Sequence, residues 1–179
     1  MLGLMDEDVL GDEERLGAWL NLIQANRIVS DLLEEHVEAA AGLSLAEHEV
    51  LIRVGFSSDG KLRMADLASL LLVSKSGVTR LVDRVEQAGL VKREFSPEDR
   101  RVTFASITDA GREALERANP AFAHGLAQAF SQHLTTSDVQ CLRAALRKVL
   151  EGNGEWEESR CSPRYAASEA ARESAAAST

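Results

Sequence analysis

Between Asp12 and Glu38, apolar residues return every three or four positions: Leu16, Trp19, Leu20, Ile23, Val29, Leu33 and Val37. That spacing puts them on one side of a helix, so the segment predicts a single long amphipathic α-helix. Leu22, Ile28 and Leu32 add a second stripe. One helix packed only on its own chain cannot bury both stripes, so another chain is expected against it. Gly42 closes the segment. Ser44-Leu45-Ala46-Glu47 has the form of a capping box, with Ser at the N-cap and Glu at the third helical position. A second helix is predicted to about Phe56, then a turn at Ser57-Ser58-Asp59-Gly60, then a short third helix from Met64 to about Leu71.

A fourth helix is predicted from Val73, with Ser74 as N-cap and Gly89 as its stop. Val78, Leu81, Val82 and Val85 form its inner stripe, while Lys75, Ser76, Thr79, Arg80 and Asp83 fall on or beside the opposite face. After Gly89 the period drops to two. Leu90–Phe95 and Arg101–Ile107 read as a pair of strands joined by Ser96-Pro97-Glu98-Asp99-Arg100, a β-hairpin. Thr108 caps a fifth helix predicted to about His133, with a kink at Pro120. Thr135 or Thr136 starts a sixth, whose stripe is Val139, Leu142, Leu146, Val149 and Leu150. Residues 1–11 are expected to be a flexible terminus. Residues 152–179, rich in Ala, Ser, Glu and Arg, are expected to be a disordered tail.

Composition narrows the class without changing this picture. The 179 residues suffice for one ordinary domain with its own core. Aromatic residues are only 4%, so that core must be mostly aliphatic. No apolar run reaches the roughly 18 residues of a membrane span, and the acidic N-terminus lacks the basic start of a secretory signal. Cys141 and Cys161 are too sparse for a disulfide framework, which favours a reduced, cytoplasmic setting. No cofactor or metal is called for by the pattern, and no nucleophile–base–orienter set appears, so an enzyme is not expected. His36, His48, His124 and His133 are scattered along the chain and read as surface or interface residues.

The net charge of −9 hides an uneven distribution. Residues 1–60 carry thirteen acids and three bases, whereas residues 61–101 carry nine bases and six acids. A basic island in an acidic chain matters because a polyanion feels the local field rather than the sum. Three helices followed by a hairpin, with a capped basic helix just before it, is the order of a winged helix-turn-helix. A helix about 10–12 Å wide fits the DNA major groove, and its N-terminal half meets the base edges. Ser74, Lys75, Ser76, Thr79 and Arg80 supply hydroxyls and cations there. Arg100 or Arg101 at the hairpin tip would reach neighbouring phosphates or the minor groove.

At these residues the chain resembles the MarR family of bacterial transcription regulators. The resemblance rests on Val78-Thr79-Arg80-Leu81-Val82-Asp83-Arg84-Val85-Glu86, then Gly89-Leu90-Val91, then Ser96-Pro97-Glu98-Asp99-Arg100-Arg101 with its Asp-x-Arg wing motif, then Ile107-Thr108-Asp109-Ala110-Gly111. It extends over about residues 12–151. It implies a mainly α fold with a small β-hairpin wing. A DNA lobe would span about 44–108, and dimerisation helices about 12–40 and 109–151. It also implies a homodimer on a pseudo-palindromic operator in double-stranded DNA, in most members a repressor. Arg101 would be the minor-groove arginine. Asp99 would brace the wing by pairing with an arginine, for which Arg84 is the candidate. Asp83 and Arg84 would serve as scaffold.

The resemblance further implies a small aromatic or anionic effector between the DNA lobe and the dimer helices. Trp19 could stack on such a ligand while Arg15 or Arg27 pairs its charge, or Trp19 could belong to the dimer core. Two other readings stay open: a winged-helix protein–protein module, and a thiol- or metal-sensing regulator. A module that had lost DNA would be expected to lack Arg101 and the basic start of the fourth helix. Thiol sensing has only Cys141 and Cys161 to use, and metal sensing has only the nearness of His48 to Glu47 and Glu49.

Overall fold

A computed structural model of the chain describes residues 13–57 and 59–156. The expected flexible N-terminus, most of the expected tail and Cys161 lie outside the described residues. The elements are α1 (Glu13–Ala41), α2 (Leu45–Gly55), β1 (Lys61–Arg63), α3 (Met64–Leu70), α4 (Lys75–Gln87), β2 (Val91–Phe95), β3 (Thr103–Ile107), α5 (Asp109–Ala129), a 3-10 turn (Ser131–His133) and α6 (Thr136–Gly152).

Local signals set most of these boundaries. Ser44 closes a full capping box with Glu47, and Thr135 does the same with Asp138. The two hydrogen bonds from Thr135 hold the Asp138 carboxyl below the usual carboxylate range. Gly89 adopts φ +74°, the left-handed turn that ends α4. Thr108 Oγ1 accepts from Gly111 N at 3.1 Å and donates to the Gly89 carbonyl at 2.7 Å, so one hydroxyl caps α5 and pins the end of the preceding turn. At Gly111 a Cβ would sit 2.1 Å from the Leu90 carbonyl oxygen, so only glycine lets α5 start this close to the sheet.

Two expectations are corrected. The hairpin is part of a three-stranded antiparallel sheet of order β1-β3-β2, with Lys61, Leu62 and Arg63 opposite Ser106, Ala105 and Phe104. Three residues are too few for a period of two to register. The fifth helix ends at Ala129, and the segment to His133 tightens into the 3-10 turn. Pro120 lies within α5, which is helical on both sides of it. Pro120 is exposed, so the carbonyl that loses its partner faces the solvent side.

The core is aliphatic, as the composition requires. Val50, Leu51 and Val54 of α2, Leu67 of α3, and Val78, Val82 and Val85 of α4 meet Val91, Ala105 and Ile107 of the sheet. Val37 of α1 and Ala114, Leu115 and Ala118 of α5 close it from the stem side. His48 is the polar exception at that junction. It is 1% exposed, donates from Nε2 to Asn119 Oδ1 at 2.9 Å, and packs on the Phe122 ring at 5.1 Å. Burial, outweighing the Asn119 bond and the charge of Glu49, holds its pKa below the ordinary histidine value.

Away from this core the stem is bare. In α1 only Leu33 and Val37 are buried, and α6 buries no residue at all. Trp19, Ile28 and Val149 are 58%, 60% and 59% exposed.

Candidate nucleic-acid interface

Helix α4 is anchored on one side and open on the other. Val78, Val82 and Val85 hold it to the core. Ser74, with extended backbone (φ −65°, ψ 160°), accepts from Gly77 N at 3.1 Å and lies 3.0 Å from the Ser76 hydroxyl. Thr79 Oγ1 donates to the Lys75 carbonyl at 2.8 Å. Ser74, Lys75, Ser76, Thr79 and Arg80 are all exposed. The turn before them contains Leu72, 66% exposed with φ +54°, a left-handed conformation that costs a non-glycine residue energy.

The loop between β2 and β3 is closed by its own side chains. Ser96 Oγ accepts from Glu98 N at 3.3 Å and Asp99 N at 3.4 Å. Asp99 Oδ1 accepts from Arg101 N at 2.9 Å, and Val102 N donates to the Asp99 carbonyl at 2.9 Å. Asp99 therefore braces the wing through the Arg101 backbone and not through Arg84, which corrects the expected pairing. A carboxylate two residues from an amide closes this turn with no long-range ordering. Arg84 is engaged elsewhere, 3.2 Å from Glu47, whose other oxygen completes the α2 cap.

What joins helix to wing is Arg93 of β2. Its guanidinium reaches Asp83 at 2.6 Å, Glu86 at 2.5 Å and the Thr79 carbonyl at 3.1 Å, and its own amide donates to Glu86 at 2.9 Å. Sequence reasoning counted Arg93 only as part of the basic island. The signal that could have found it is Asp83 and Glu86, one helical turn apart and both facing the following strand.

Charge at the interface is sorted by this bonding. Arg84, Lys92 and Arg93 are each held by acids of the chain. The bond from Lys92 to Glu94 raises the lysine pKa, and the bonds from Lys92 and Ser106 lower that of Glu94. Among the described residues, Lys75, Arg80, Arg100 and Arg101 take part in no ion pair. Lys75, Thr79 and Arg101 line one cleft of about 560 Å³ between α4, the start of α3 and the wing, with Arg63, Arg93 and a single carboxylate, Asp66.

The residues expected for an effector stand apart from this cleft. Arg15 and Trp19 are one turn apart on α1. Arg27 lies about 12 Å further along the axis and pairs with Asp31 at 3.7 Å. No group of three or more His, Cys, Asp or Glu that could hold a metal ion occurs among the described residues. No helix among them is long and apolar enough to cross a membrane.

A capped basic helix beside a cationic wing defines a winged helix-turn-helix DNA-binding protein. The model of the MarR family matches residues 41–102. The HTH-type transcriptional regulator MhqR of Bacillus subtilis is 31% identical over 137 residues, 76% of this chain and 92% of that protein. Sco3205, a MarR family transcriptional regulator from Streptomyces coelicolor solved in complex with DNA, superposes with a TM-score of 0.76 and 31% identity over 79% of this chain and 89% of that one. A mutant of MarR from Escherichia coli complexed with operator DNA superposes with a TM-score of 0.69 and 25% identity, covering 78% and 99% of the two chains. The chain belongs to the MarR family. It is a DNA-binding transcription regulator.

Proposed function

We propose that the protein is a cytoplasmic, homodimeric, ligand-responsive repressor that acts by binding rather than by catalysis. Ser74, Lys75, Ser76, Thr79 and Arg80 face base edges and flanking phosphates in the major groove. Arg101 enters the adjacent minor groove, Arg100 contacts phosphate, and Asp99 shapes the loop that carries them. The observation that carries this reading is that four exposed cations in no ion pair, Lys75, Arg80, Arg100 and Arg101, stand together on the capped start of α4 and the wing tip. Surface lysines and arginines left unneutralised in this way are suited to displacing counterions from DNA.

The bare apolar faces of α1 and α6 support the dimer. Burying Ile28 and Val149 against a second copy would remove their contact with water and give two recognition helices separated by about one turn of DNA, roughly 34 Å. Selection of bound duplexes from a random pool tests the reading. It is expected to return an inverted repeat with half-sites about one helical turn apart. Recovery of unrelated sequences, or of single half-sites only, would oppose it.

For the effector, Trp19 supplies the flat surface and Arg15, four residues before it, the charge. Indole fluorescence titrated with phenolic acids is expected to respond in the wild type and to lose that response in Trp19→Phe, which separates Trp19 from Trp156. A response that survives in Trp19→Phe would move the effector elsewhere.

A further inference from the structure

One exposed side chain beside α4 costs the free chain energy and joins none of its packing. Backbone bonds close the end of α3: Leu72 N donates to the Ser69 carbonyl at 3.2 Å and Val73 N to the Ala68 carbonyl at 3.1 Å. These are the two bonds of a Schellman motif, and they put Leu72 at the residue that must turn left-handed. Its φ is +54°, the only positive φ of a non-glycine residue among those described. Glycine suits such a position, because without a Cβ there is no clash with the backbone. The turns that follow α1 and α4 use Gly42 and Gly89 for their left-handed residue. Leu72 carries instead a branched apolar side chain that is 66% exposed, while its neighbours Leu71 and Val73 pack against the core. Ser74, Lys75 and Ser76 follow, all exposed at the capped start of α4. Two Cα–Cα steps of about 3.8 Å keep the Leu72 backbone within about 8 Å of Ser74. Folding alone gains nothing from a strained leucine left in water. Strain of this kind persists at functional sites, where a bound state can offset it.

We propose that Leu72 is a specificity-determining residue of the DNA interface, reading the C5-methyl group of one thymine in each half-site. The proposal rests on the reading of α4 as the helix that enters the major groove. In that groove thymine alone presents a methyl group, and an apolar side chain is what complements it. The exposed run from Ser74 to Ser76 is polar, so Leu72 is the apolar contact available at that end of the helix. Packing the leucine on the methyl takes apolar surface of both partners out of water, surface that the free protein leaves wet. Leu72 thus adds a preference for one base to an interface whose other contacts are hydroxyls and cations.

The test uses the full chain and the inverted repeat returned by selection of bound duplexes. Each thymine is replaced in turn by deoxyuridine, which keeps every polar edge and lacks only the methyl. Anisotropy titrations of the wild type are expected to find one position per half-site where the replacement weakens binding about fourfold, and about fifteenfold when both half-sites carry it. L72A keeps the left-handed strain and L72G relieves it. Both should bind the thymine duplex more weakly, by about fourfold or more per half-site, and should no longer distinguish thymine from deoxyuridine at that position. L72G should melt higher than the wild type while binding less tightly, so the loss is not one of folding. R80A should bind more weakly yet keep the wild-type response to deoxyuridine. Equal affinities of wild type and L72G for the thymine duplex, or a wild type indifferent to every replacement, would overturn the role of Leu72 and leave the DNA reading standing. A wild type that binds no duplex at low ionic strength would overturn both.

Discussion

The Arg101 guanidinium stands exposed at the wing, its backbone amide held by Asp99 and its charge met by no acid of the described chain. Arg80 is likewise exposed on α4. Neither supports the core, so Arg101→Ala and Arg80→Ala should each weaken operator binding by about 1–3 kcal/mol and leave the melting temperature nearly unchanged. Anisotropy titrations with paired thermal melts check both halves of that statement. His48 behaves in the opposite way, as a buried group whose charge has no place in the fold. Its folded pKa lies below the unfolded value of about 6.5, so over that interval the unfolded chain binds more protons. Stability is therefore full above about pH 6.5 and is lost as pH falls through it. Urea midpoints measured between about pH 7.5 and 5.5 should drop for the wild type, and His48→Gln should remove part of the drop. An identical pH slope in the variant would show that His48 does not carry it.

At the scale of elements, Arg93 sets the angle between recognition helix and wing, because one guanidinium holds Thr79, Asp83 and Glu86 together. The group is partly exposed, so the loss in stability for Arg93→Ala should be on the order of 1 kcal/mol. The loss in DNA affinity should exceed it, because α4 and the wing would no longer be held in one geometry. Equal losses in urea stability and in affinity would reduce Arg93 to an ordinary packing residue. The turn before α4 carries strain of its own. The left-handed conformation of Leu72 costs about 1–2 kcal/mol and glycine's extra chain entropy about 0.5–1, so Leu72→Gly should stabilise the free protein by roughly 0.5–1 kcal/mol in urea unfolding. Features determined within a few residues were legible from sequence: the Ser44 and Thr135 caps, the Ser74 N-cap and the Gly89 stop all stand where the residues put them. What was not legible depends on approach in space. The strand β1 exists because Lys61–Arg63 meets Phe104–Ser106. Arg84 chooses Glu47, and Arg93 finds acids on the helix before it. The histidines that read as scattered converge because α1 and α5 pack together.

For the whole molecule, acid and base are separated in space as they are in sequence. The chain carries −9, yet residues 61–101 hold an excess of three positive charges and supply the exposed cations of α4 and the wing. Local field overrides the total, so an acidic protein can still bind DNA. The exposed apolar faces of α1 and α6 lie outside this basic region, which keeps the proposed association surface distinct from the DNA surface. The most direct test of the central claim is a salt series of anisotropy titrations on a selected duplex, comparing wild type with the double variant Arg80→Ala/Arg101→Ala. Wild-type affinity should fall steeply with salt, and the double variant should bind more weakly with a shallower slope, by roughly four charges per dimer, two from each chain. Equal affinity and equal slope in the two proteins, or no binding by the wild type at low ionic strength, would contradict the account.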